Sequence, residues 1–200
     1  MIIRKITAFE RDAVKAFYLT LPAEDRGKRF CCTISDESLS KYVEGVDFMR
    51  DTILGAFNEH AELIGVAELV PGPNEGELAF AVRPDMRSRR IATRLMERIL
   101  LHARMSGVGK VFVIFLSDNA PMRRMARNAG MVVKTDGGDA HASRELPAPS
   151  AEELSRWSTK EAAAHSEYFS VLGIERRGPL AAQPRPTAPQ SRNTLDPLAA

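Results

Sequence analysis

Two groups of residues have the types and spacing to do chemistry. The first is basic: Arg83, Arg87, Arg89, Arg90, Arg94 and Arg98 fall within one short stretch, and Arg123, Arg124 and Arg127 form a second cluster. Guanidinium groups attract phosphate, and the first cluster spans a turn from a strand-like to a helix-like pattern. A helix N-terminus there adds unpaired backbone N–H groups and a partial positive charge, so pyrophosphate is the natural guest. The alternative is a solvated, arginine-rich helix start. The second group is acidic. In the strand-like segment 76–82, Glu77, Ala79 and Ala81 share a face with Glu75, while Leu78, Phe80 and Val82 share the other. A strand carboxylate beside an anion site is a candidate general base, Glu77 first and Glu75 as substitute; a solvated strand glutamate is the alternative.

Other reactive residue types form no such constellation. Cys31 and Cys32 are the only cysteines and are adjacent, so they cannot staple distant parts of the chain; buried structural thiols are expected. His60, His102, His141 and His165 are scattered without paired spacing, and no metal site is expected. A net charge of +2 does not argue for nucleic acid as a partner of the whole chain. Salt-sensitive RNA binding by the arginines is a weaker idea. The longest apolar runs fall far short of the roughly 20 residues of a bilayer span. The first residues, Met-Ile-Ile-Arg-Lys, are not a secretory signal, so a cytoplasmic protein with no membrane partner is expected.

The elements that must position these groups follow from periodicity. The chain has 200 residues, of which 44% are apolar, enough for one domain with a real core. A strand at 2–6 precedes helices at 10–19 and 24–30 and a third, capped by Ser35, that runs to about 46. Strands at 51–58 and 62–69 join as a hairpin through Glu59-His60-Ala61, and a third strand, 76–82, follows the turn cluster at 71–74. A long helix at 90–106 has Ile91, Ala92, Leu95, Met96, Ile99 and Ala103 at helical spacing and stops at Gly107 and Gly109. The apolar run at 110–116 reads as a strand buried on both faces. Ser117-Asp118-Asn119 caps a helix to 129, and a strand pair turns at Gly137-Gly138, which no helix follows. This order implies a mixed sheet with helices on both faces, and a parallel strand–helix–strand unit over 76–116.

The expected division is a domain at 1–147, a helical extension at 148–177 and a disordered proline-rich tail at 178–200. In the extension, Leu154, Trp157, Ala164, Tyr168, Val171 and Leu172 partly follow helical spacing, with Glu161 interrupting the stripe. It packs back on the domain, covers a substrate cleft, or contacts a second copy as a homodimer; the sequence leaves these three open.

Residues 82–92, Val-Arg-Pro-Asp-Met-Arg-Ser-Arg-Arg-Ile-Ala, resemble the acetyl-CoA loop of the GNAT superfamily of N-acetyltransferases. That pattern is Arg/Gln-x-x-Gly-x-Gly/Ala after a strand ending Val-x-Pro; Arg87 takes its first position and Ala92 its last. Asn119 resembles the family's asparagine after a buried strand, and Ala129-Gly130-Met131 stands where many members have Gly-Phe. The resemblance covers about residues 1–146. Residues 21–30, Leu-Pro-Ala-Glu-Asp-Arg-Gly-Lys-Arg-Phe, are further similar to a segment of GNAT domains of bacterial protein lysine acetyltransferases, a sign of lineage.

The resemblance implies an α/β (α+β) fold: a mixed, largely antiparallel twisted sheet, helices on both faces, and a central strand–helix–strand unit for acetyl-CoA. It implies that Arg87, Ser88, Arg89, Arg90, Ile91 and Ala92 hold the pyrophosphate and that the backbone of Ala81 and Val82 meets the pantetheine arm. Asn119 then supports the cofactor-side helix, and Arg124 either reaches a CoA phosphate or is solvated. The segment around Glu77 resembles that of members with a glutamate base. Two positions depart from the pattern. Arg90 replaces a glycine and is expected to begin the helix with negative φ, its guanidinium turned to phosphate. Ala126 replaces a tyrosine that serves many members as the acid. The implied activity is direct acetyl transfer from acetyl-CoA to a primary amine, on a small molecule or a protein lysine, without a covalent enzyme intermediate. A catalytically weak acyl-CoA-binding regulatory module on the same fold is the alternative.

Overall fold

The computed structural model describes residues 1–172. The tail expected at 178–200 and the last residues of the extension expected to reach 177 lie outside the described residues. Seven strands form one sheet in the order β1-β2-β3-β4-β5-β7-β6. They are β1 (Ile2–Lys5), β2 (Thr52–Phe57), β3 (Leu63–Pro71), β4 (Gly76–Val82), β5 (Lys110–Leu116), β6 (Val132–Asp136) and β7 (Asp139–Glu145). Every neighbouring pair is antiparallel except β4–β5, which is parallel. This is the mixed, largely antiparallel sheet that the sequence implied.

On one face lie α1 (Arg11–Thr20), α2 (Ala23–Phe30) and α3 (Asp36–Glu44). Val14, Phe17 and Tyr18 of α1 and Leu39 and Val43 of α3 pack there against Ile53, Val66 and Ala81. The Ser35 hydroxyl caps α3 by accepting from the Ser38 N–H at 3.2 Å. On the other face lie α4 (Ile91–Met105) and α5 (Ala120–Asn128), whose Leu95, Ile99 and Ala126 meet Leu69, Leu78 and Val113. Each fully buried Leu or Ile contributes about 1.5–3 kcal/mol by leaving water. Gly65 of β3 makes the close approach of α4 possible: a Cβ there would lie 3.2 Å from both Ile91 and Leu95 side-chain carbons.

Two expectations change. The 110–116 strand is buried on one face only: Val111, Val113 and Phe115 enter the core, whereas Ile114, on the face that the end of α2 only partly covers, is 44% exposed. The thiols at positions 31 and 32 are not buried structural cysteines either. Cys31 is half-buried and Cys32 exposed, because α2 ends there, with Cys31 in the left-handed region at φ 55°.

The extension forms α6 (Ala151–Val171), capped by Ser150, and it packs back on the domain. Glu161, the residue that interrupts the apolar stripe, pairs with Arg98 and lies 3.1 Å from His102 on α4. Glu153 bonds Arg104, and Trp157 meets His102 edge-on. Near its end, Tyr168 stacks on the Arg4 guanidinium at 3.6 Å, and that group also lies over Phe57 at 4.4 Å and pairs with Glu10. The helix thereby covers β1, an edge strand whose free polar groups would otherwise invite pairing.

These contacts are acid-sensitive. Burial alone would raise the carboxyls of Glu10 and Glu161, yet Arg4 and Thr7 hold Glu10 below the ordinary range, and His102 and Arg98 do the same for Glu161. Burial, then the Arg4 charge, holds the His165 imidazole down, against opposing pulls from Glu161 and Glu10. For all three groups the unfolded chain takes up protons first, so stability falls with pH: from about pH 6.5 through His165, and below about pH 4.3 through the glutamates. Urea midpoints should therefore decrease steadily from pH 7 to pH 4, read by the single tryptophan, Trp157, on α6. H165Q should remove the part of the slope between pH 6.5 and 5; an unchanged slope counts against this account.

Candidate active site

β4 and β5 pair only at Gly76–Val111 and Glu77–Phe112. Beyond Glu77 the two strands diverge, so the β4 edge from Leu78 to Val82 keeps its backbone N–H and C=O groups free on that side. Between the strands opens a cleft of about 950 Å³. Its walls are β4 and the loop to α4 on one side, and Val113, Ile114, Phe115, Asp118 and Asn119 on the other. From Val82 back to Glu77 the strand runs about 17 Å, a span suited to an extended arm rather than a compact ligand.

At the wide end lies the arginine loop. A 3-10 turn at Pro84–Met86 leaves β4, and Arg83 is spent on Asp85 through bonds of 3.1 and 2.6 Å. Ser88 and Arg90 both have positive φ, 63° and 61°. This corrects the expected conformation of Arg90. It does not begin α4 with negative φ; it is the residue before the helix, in the left-handed region where the family's glycine would sit without strain. Among the described residues no side chain caps α4, so its first N–H groups, at Ile91 and Ala92, are available at the cleft. Arg87 pairs with Asp25 of α2.

Of the residues expected to bind cofactor, Ala81, Val82, Arg87, Ser88, Arg90, Ile91, Ala92, Asn119 and Arg124 all line this cleft. Arg89 does not; it borders a separate hollow of about 360 Å³ with Arg94 and Glu97. Asn119 caps α5, its side-chain oxygen accepting from the Met122 N–H at 3.1 Å. Arg90 and Arg124 make no ion pair among the described residues, so their charges are free for an anion.

Glu77 lies at the vertex where the strands part, exposed to the cleft. The substitute Glu75 is instead held by Lys110 at 2.7 Å and does not line the cleft. Ala126 is fully buried in the core, so that position puts no acid in the cleft. Burial and the Asp139 carboxylate push the Cys31 thiol up, against a nucleophilic role.

Sequence reasoning missed a buried network under the same wall. Glu68 of β3, 1% exposed, accepts from the hydroxyls of Tyr18 and Tyr42 and from Arg29 Nη2 at 2.7 Å. Arg29 also donates to Tyr42 at 2.9 Å. Burial would lower the Arg29 pKa, but the facing Glu68 raises it; burial and Glu68 together push Tyr42 up. The cluster thus sets Glu68 against Arg29 and two tyrosine hydroxyls at the cleft floor, with Arg29 Nε left without a partner among the described residues. Its one sequence signal was a lone carboxylate inside the apolar run of 63–71. No group of three or more His, Cys, Asp or Glu among the described residues is placed to hold a metal, and no described helix is long and apolar enough to cross a membrane.

This cleft and fold agree with the comparisons. The profile of the acetyltransferase (GNAT) family matches residues 23–131, more than half of the chain, and the protein belongs to that family. It is an acetyl-CoA-dependent acetyltransferase by family. Among solved structures it is similar to the GNAT domain of PAT from S. lividans: 24% identity, 72% of this chain and 89% of that one, TM-score 0.62. Ribosomal-protein-alanine N-acetyltransferase from Brucella melitensis matches at 18% identity over 73% and 100% of the chains, TM-score 0.57. PaiA N-acetyltransferase from Thermoplasma acidophilum, solved with coenzyme A, matches at 19% over 72% and 97%, TM-score 0.54. No curated protein sequence matches significantly.

The left-handed backbone at Arg90 costs about 1–2 kcal/mol relative to glycine. R90G should accordingly raise the stability of the free protein by about 1 kcal/mol in urea unfolding, less than the full strain because glycine is also freer when unfolded. A loss of stability would show that the Arg90 side chain holds the loop.

Proposed function

We propose that the protein transfers the acetyl group of acetyl-CoA directly to an amine, with Glu77 as the base. The observation that carries this reading is the position of Glu77 at the vertex of the β4–β5 divergence, at the far end of a cleft whose wide end is cationic. The residues present fit the cofactor. Arg87, Arg90 and the free N–H groups of Ile91 and Ala92 suit the pyrophosphate, with Ser88 completing the loop. The unpaired edge of Ala81 and Val82 suits the amide-bearing arm, and Arg124 suits a further phosphate. Asn119 supports the facing wall by capping α5.

An amine attacks only when neutral, and a lysine-like amine has a pKa of about 10.4. Glu77 accepts its proton, directly or through one water. The new N–C bond forms as the C–S bond breaks, and the sulfur leaves as a thiolate. Its thiol pKa of about 8.5 makes this tolerable without an acid, consistent with alanine at position 126. The cleft lining combines Leu21, Phe30 and Tyr42 with this carboxylate, which favours an acceptor with an apolar stem and a cationic end.

Acetyl-CoA at about a hundred times its dissociation constant should stabilise the protein by about 2.7 kcal/mol, visible as a clear rise in Tm. E77Q should keep that rise while turnover with a responsive amine drops about 100-fold or more. Equal turnover in E77Q and the wild type would remove Glu77 from the mechanism.

A further inference from the structure

The segment 21–30 resembles a family segment, and its charged residues Asp25 and Arg29 have no task in the reading above. In the structure it runs from the arginine loop to the cleft floor. Asp25 and Arg29 stand one turn apart on α2 and so share a helix face. Arg29 anchors that face to Glu68 and Tyr42 at the cleft floor. Asp25, its side chain only 10% exposed, makes its one ion pair among the described residues with Arg87 Nη2.

We propose that Asp25 is a positioning residue for acetyl-CoA, holding the Arg87 guanidinium at the pyrophosphate loop. The proposal rests on the cofactor reading above. An arginine side chain has large rotamer entropy, and one half exposed, as Arg87 is, would lose it on gripping a phosphate. Pairing with a nearly buried carboxylate on an anchored helix removes that freedom beforehand. The pair engages Nη2, and the guanidinium's five N–H donors are more than one carboxylate contact uses, so donors remain for the anion. Attraction is supplied by Arg90 and Arg124, which have no ion pair among the described residues, so the part left to Arg87 is geometry. The negative charge of Asp25 works the other way, repelling a phosphate, so the sign of the asparagine effect separates the two.

The experiment is a double-mutant cycle on acetyl-CoA affinity by calorimetry, with steady-state kinetics beside it. D25N should weaken binding about 5-fold, R87A at least as much, and the double variant no more than R87A alone. The loss should fall on KM for acetyl-CoA rather than on kcat, and D25E should recover most of it. R87K, which keeps the charge but loses the fork, should behave like D25N and serves if D25N folds poorly. Wild-type or tighter affinity in D25N, or additive losses in the double variant, would overturn the proposal. A wild-type protein that binds no acetyl-CoA would overturn the cofactor reading itself, and this proposal with it.

Discussion

The divergence of β4 from β5 after Glu77 is the constraint on which the site depends. A continuous parallel ladder would satisfy the backbone groups of both strands and leave no cleft. Two pairs of register are enough to keep the sheet in one piece, and the twist then separates the strands. The unpaired edge is costly unless something bonds to it, which is why the proposed function sets an amide-bearing arm there. The same divergence fixes where charge is useful. The arginine loop and the start of α4 lie at the open end, and the carboxylate lies at the closed one.

Holding such an opening requires the surrounding layers to be rigid, and the packing shows how. α4 is pressed onto β3 at Gly65, so the loop that precedes it has a fixed exit. On the opposite face α2 is tied down by Glu68, a charge that would be prohibitive in a core without its arginine and two tyrosines. The two sheet faces therefore carry different kinds of core. The α4–α5 side is apolar, whereas the α1–α3 side includes a polar clasp next to the region proposed for the acceptor.

Much of this was legible in the sequence, because local periodicity and cap chemistry decide it. The face assignment of Glu77 against Leu78, the glycine stops of the helices, the Ser35 cap and the Asn119 cap all follow from spacing. The rest was set by tertiary contacts. The unbroken apolar run of β5 reads as doubly buried, yet Ile114 lines the cleft and stays 44% exposed, which a local pattern does not register. The Glu68 clasp joins residues 50 and 26 positions apart, beyond any local pattern. Likewise the place of α6 was open, since a stripe interrupted by Glu161 says nothing about the Arg98 and His102 that receive it.

Arg90 shows how sequence and conformation come into conflict at the site. Helix entry from β4 demands a left-handed residue, and Ser88 and Arg90 both supply positive φ without being glycine. A glycine would remove the strain at position 90 and allow the closest backbone approach to an anion. Arginine keeps the strain but sets a fixed charge beside the free N–H groups of the helix start, where an anion gains from both. A surface turn with no ligand would gain nothing from that exchange. The strained residue thus fits the anion site of the proposed function, with its backbone conformation imposed at the entry to α4.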